Sequence, residues 1–186
     1  MLTKRTVEQY RNHVLLSAYF RNEYVGRVSK SGEVLFEVKG TGIDDNLQQL
    51  RVFVDERLAQ LTAPGVKAPE VQGYIDAFTR IVKKLSAGHA AMLKAHYEAP
   101  EQTITATELA AAANYRNYSA ANLQYGIVGK ALFNELPIPL PTRKDGTPIY
   151  TFALAEAGER SGDEDHWHWK MRPQVATALE HLGLTD

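Results

Sequence analysis

The chain has 186 residues with 21 basic and 22 acidic side chains, a formal net charge of -1, 44% apolar residues and no cysteine. That length fits one ordinary domain or two small ones, and the apolar fraction argues against wholesale disorder. The near-neutral total excludes a protein that coats nucleic acid by bulk charge, and the lack of cysteine excludes a disulfide framework, a thiolate zinc site, an iron-sulfur site and a cysteine nucleophile.

Val7, Tyr10, Val14 and Leu15 fall on one helical face, so the chain is expected to begin with a helix. Beyond Ala18 the apolar period changes to two, through Phe20, Tyr24 and Val28 and then Val34, Phe36 and Val38. Ser29-Lys30-Ser31-Gly32 between them has turn composition and predicts a β-hairpin. Asp44 or Asp45 is placed to cap a helix holding Leu47, Leu50, Val54, Leu58 and Leu61. The segment 63–69, rich in proline and glycine, reads as a linker or tight turn.

After it, Val71, Tyr74, Ile75, Phe78, Ile81, Val82 and Leu85 form one helical stripe, interrupted at Ser86-Ala87-Gly88. A further helix with Met92, Leu93 and His96 stops ahead of Pro100. Ile104 suggests a very short strand, and Thr105 or Thr107 can cap a short helix over 108–113, Thr105 and Glu108 having capping-box spacing. A turn at 114–118 leads to a longer helix capped by Ser119 and holding Leu123, Ile127, Val128, Ala131, Leu132 and Leu136. A short helix, a turn and a longer helix is the order of a helix-turn-helix. A proline-rich connector follows, then strand candidates at 149–154 and 166–171 joined by an acidic loop, and a C-terminal helix starting at Pro173. The expected architecture is α+β: a small helix-hairpin-helix module over 1–63, followed over 69–186 by a mainly helical, winged-helix-like part.

The run ITATELAAAANYRNYSAANLQYG at 104–126, with MLKAHYEAP at 92–100 and WHWKMRPQVATALEHLG at 167–183, resembles a module of poorly characterised bacterial proteins. These are helix-turn-helix-like regions found near or fused to restriction-type (HNH) nucleases. The resemblance covers the C-terminal half only. It implies a part in handling DNA, modified or foreign DNA included, in regulation or in restriction and defence. It implies no catalysis by this chain, which shows no compact histidine and asparagine set of the HNH type, so that cleavage would come from a partner nuclease.

The residues themselves point the same way. Tyr115, Arg116, Asn117, Tyr118, Ser119, Asn122, Gln124 and Tyr125 cluster where the second helix of such a unit begins, the end that reaches base edges. Asn and Gln suit adenine, Arg suits guanine, and hydroxyls suit phosphates. Asn122, Gly126, Gly129 and Lys130 share one side of that helix, and the glycines would let a phosphate backbone come close or, equally, permit a close helix crossing. Arg80, Lys83, Lys84 and Lys94 add phosphate contacts if they lie on the same side, or form a solvated helix face.

His166 and His168 alternate with Trp167 and Trp169, and with Asp163 and Asp165 they form a weak metal candidate, for which burial of the tryptophans is the better reading. Signatures of serine hydrolases, P-loops, zinc proteases and dinucleotide binding are missing. No cofactor and no catalytic residue is expected. No run approaches the roughly 20 apolar residues of a membrane span, and no leader pattern opens the chain, so a cytoplasmic protein is expected. The reading is a non-catalytic protein that binds double-stranded DNA. The competing one is a protein adaptor or inhibitor whose acidic loop, 156–165, occupies a basic site on a partner.

Overall fold

The computed structural model describes residues 4–158 and 167–185. The chain divides into two compact units, Met1–Ala63 and Pro64–Asp186.

The first unit begins with a sheet, which corrects the expected helix-hairpin-helix start. Strands β1 (Lys4–Tyr10), β2 (His13–Phe20), β3 (Glu23–Lys30) and β4 (Glu33–Gly40) pair in chain order as an antiparallel meander, and helix α1 (Ile43–Leu61) follows. Two-residue turns make the difference. Arg11 and Asn12, then Arg21 and Asn22, then Ser31 and Gly32, all have positive φ. That is the geometry of hairpin turns whose twist matches the flanking strands, and asparagine and glycine accept it readily. The helical spacing of Val7, Tyr10, Val14 and Leu15 is therefore accidental. Leu15 is buried, whereas Val7 is 47% exposed on an edge strand.

One face of this sheet packs on α1. Leu15 and Val28 meet Ile43, Leu47, Leu50 and Val54 in a small core edged by Tyr10, Tyr24, Phe36 and Phe53. Within it Asn46 is fully buried and donates to the Ser17 hydroxyl at 3.3 Å. Gly26 and Gly40 make room for it, since a Cβ on either would run into the Asn46 side chain. Neither aspartate caps α1. The cap is Gly42, and Asp45 instead accepts from the Thr41 amide (2.7 Å) and hydroxyl (2.9 Å) and from Gln49 (3.2 Å). Those bonds hold its carboxyl below the usual carboxylate range. Arg51 of α1 clasps Glu8 of β1 through two bonds, of 3.0 and 2.6 Å.

The second unit contains α2 (Val71–Ile81), α3 (Ala87–Glu98), β5 (Thr103–Thr105), α4 (Ala106–Ala112), α5 (Tyr118–Glu135), β6 (Ala155–Ala157), β7 (His168–Met171) and α6 (Pro173–His181). Its three strands form an antiparallel sheet in the order β5-β7-β6, so the strand ahead of α4 pairs with the far strand of the C-terminal hairpin. The expected strand over 149–154 is instead a 3-10 turn, Tyr150–Ala153, and only Ala155–Ala157 is extended. Gly129 explains the turn. A Cβ there would collide with the Tyr150 carbonyl, so the glycine lets this backbone lie directly against α5. Trp169 on β7 is buried, and its ring lies 5.3 Å from Phe152 and 5.9 Å from Trp167, which is 47% exposed. Among the described residues no helix is long and apolar enough to cross a membrane.

Candidate nucleic-acid interface

Thr105 starts α4 with a full capping box. Its hydroxyl accepts from the Glu108 amide at 3.2 Å, and the Glu108 carboxylate accepts from the Thr105 amide at 2.7 Å. The helix ends as Asn114 takes a left-handed conformation, φ 55°, and the Tyr115 amide reaches back to the Ala110 carbonyl at 2.8 Å. Asn117, not Ser119, then caps α5: it is extended, and its Oδ1 accepts from the Ala120 amide at 2.9 Å.

Three contacts fix α5 against the rest of the unit. Tyr115 lays its hydroxyl on Gly88, leaving no room there for a side chain. His89 of α3 uses Nδ1 to accept from the Ser86 amide at 3.3 Å, so its Nε2 carries the proton and donates to Gln124 Oε1 at 2.9 Å. His96, fully buried on α3, is the third. Its Nε2 lies 2.9 Å from the Trp169 carbonyl, which can only accept, so Nε2 donates and Nδ1 accepts from the Tyr125 hydroxyl at 2.5 Å. One neutral imidazole thus ties α3 to both α5 and β7. Burial pushes the His96 pKa down to about 4 and raises that of Tyr125, which keeps both groups uncharged near neutrality.

Ala121, Tyr125, Val128, Gly129, Leu132 and Phe133 form the inward face of α5. Leu123 and Ile127 point outward at 64% and 44% exposure. A helix apolar on nearly every side gives no periodicity from which to choose. The outward face also carries the exposed Ser119, Asn122 and Lys130. Lys130 Nζ sits 5.6 Å from the centre of the Tyr150 ring. Tyr118 is 53% exposed, and Arg116 and Asn117 are exposed in the turn.

The structure therefore brings Arg116, Asn117, Tyr118, Ser119, Asn122 and Lys130 together along one turn and one helix face. Gln124 is half-buried and engaged with His89. Gly129 is closed off beneath Tyr150, so the backbone that approaches it is the chain's own. Gly126 has only Thr151 Oγ1 nearby, at 4.0 Å. Lys83 and Lys84 are exposed in the 3-10 turn that leads into α3, just ahead of the residues touching Tyr115 and Gln124. Arg80 is exposed one turn earlier, in the last turn of α2.

Among the described residues no three histidine or acidic side chains gather as a metal site, and His166, Asp163 and Asp165 lie outside those residues. Most of the acidic loop lies outside them too. Its first member, Glu156, accepts from Arg172 at 2.8 Å. His96 and His89, which are not among the expected site residues, hold it in shape together with Tyr125. Their only sequence signature is a polar residue inside an apolar helical stripe. Compared with known protein families, curated proteins and solved structures, the chain matches none.

Proposed function

We propose that the second unit binds double-stranded DNA without catalysis, with the start of α5 in the major groove, as a cytoplasmic protein of regulation or of restriction and defence. One observation carries the reading: the face of α5 from Tyr118 to Asn134 contains no acidic side chain, and Arg116 and Lys130 stand at its two ends. Asn122 between them offers a donor and an acceptor that match an adenine edge, and Ser119 suits a phosphate. Lys83 and Lys84 supply further phosphate contacts. The struts through His96, His89 and Tyr115 support recognition, because a side chain reads a base only when its backbone is held in register.

Fluorescence anisotropy with short labelled duplexes at low salt tests the proposal. The expected result is binding that weakens steeply with salt, with a log-log slope reduced by about 2 when Arg116→Ala and Lys130→Ala remove two phosphate contacts. Asn122→Ala should flatten the preference among duplex sequences. Absence of binding, or binding unchanged in the triple variant, overturns it. Recovery of a tight protein partner from nuclease-treated lysate would favour the adaptor reading instead.

A further inference from the structure

Leu123 and Ile127 stand one helical turn apart on the outward face of α5, beside Asn122, and they are among the most exposed large apolar side chains described. Water is a poor partner for such a pair, and exposed apolar surface grouped in one place marks a contact surface. The charge around them identifies the occupant. Between Tyr118 and Asn134 the helix bears no acid, and the cation Lys130 lies about 16 Å along the axis from Ser119, with Arg116 just beyond the other end. A face that is apolar in the middle and cationic at both ends fits a polyanion whose groove floor carries apolar groups. In duplex DNA those groups are the C5-methyls of pyrimidines, which project into a major groove about 12 Å wide.

Resting on the DNA-binding reading above, we infer that Leu123 and Ile127 recognise the 5-methyl groups of thymine or 5-methylcytosine in the major groove, with Asn122 pairing to an adjacent adenine. The target class is duplex DNA dense in 5-methylpyrimidines. Gly126 lies between the two side chains along the helix and brings no bulk of its own.

Matched 20-base-pair duplexes test this by anisotropy: an alternating A·T tract, the same tract with every thymine replaced by deoxyuridine, and a C·G duplex with cytosine or 5-methylcytosine. A buried methyl is worth about fourfold in affinity, so two contacts predict roughly fifteenfold tighter binding of the thymine duplex than of its uracil counterpart. 5-Methylcytosine should regain part of that gain over cytosine. The variant Leu123→Ser with Ile127→Ser should bind the thymine and uracil duplexes alike. Both side chains are exposed, so its tryptophan-monitored melt should match that of the wild type. Equal wild-type affinity for thymine and uracil duplexes overturns the methyl assignment and leaves DNA binding standing. No binding to any of the duplexes removes the DNA reading itself, and the assignment with it. A wild-type dimer that becomes monomeric in the double variant would give the stripe to a second copy of the chain and also overturn it.

Discussion

The open sheet face of the first unit and the open helix face of the second both carry cations, but they dispose of them differently. On the sheet, Arg27 pairs with Glu37 and Lys39 with Glu23 across β3 and β4. Pairs this exposed add little stability, yet they cancel charge locally. Along the turn and helix that carry Arg116 and Lys130, residues 116–134 include no acidic side chain. The second face therefore still has charge to offer a polyanion.

Their interiors differ as well. Each strand of the first unit pairs with its neighbour in sequence, over an apolar core whose main polar insertion is Asn46 on Ser17. In the second unit, β5 pairs with β7, and His96 bonds Trp169 across a sequence separation of 73. Local turns organise one unit, and long-range polar bonds orient the other. A satisfied buried polar network is suited to specifying one geometry.

Both tryptophans lie in the second unit, so their fluorescence follows that unit alone. The largest effect should come from Leu50→Ala, a fully buried core residue of the first unit. It should cost about 3 kcal/mol in urea unfolding followed by circular dichroism, while the tryptophan transition stays in place. A tryptophan midpoint that moved equally would show that the two units unfold as one.

Next is Gly129→Ala, whose new methyl meets the Tyr150 carbonyl and should cost about 2 kcal/mol in the tryptophan transition. Gly126→Ala, whose methyl would make only an ordinary contact with Thr151 and which has better helix propensity, should be neutral or slightly stabilising.

The smallest of the losses is the acid effect on His96. Its folded pKa lies below the unfolded value of 6.5, at about 4, so the unfolded chain binds the proton first. Stability is fully present above the unfolded pKa and declines as pH falls from 6.5 towards 4, by about 1.4 kcal/mol at pH 5.5. A tryptophan transition measured from pH 7.5 to 5 should show this loss, and His96→Gln should flatten it. His13 is shifted in the same direction by burial, so acid weakens the first unit too, without a tryptophan signal.

The second unit was the more legible of the two. Helix starts are written in local chemistry, so Thr105 and Glu108 declared the capping box, Pro100 marked the end of α3, and the polar cluster at 116–122 stood out before any fold was known. The first unit was misread because four apolar residues satisfy a helical period as easily as they spread over two strands. The deciding pairs, Arg11-Asn12 and Arg21-Asn22, are weaker turn markers than Asn-Gly. The acidic pair at 44–45 was misplaced for a similar reason, since Thr41 draws Asp45 away from the cap.

From the sequence alone follows what depends on neighbours along the chain: the capping box of α4 and the end of α3 ahead of Pro100. Only the tertiary structure decided which side of α5 turns inward, that Leu123 and Ile127 face out, that Gly129 admits the Tyr150 backbone, and that His96 joins α3, α5 and β7. Those outcomes depend on volume and hydrogen-bond partners supplied by residues far away in sequence, and no local period encodes them.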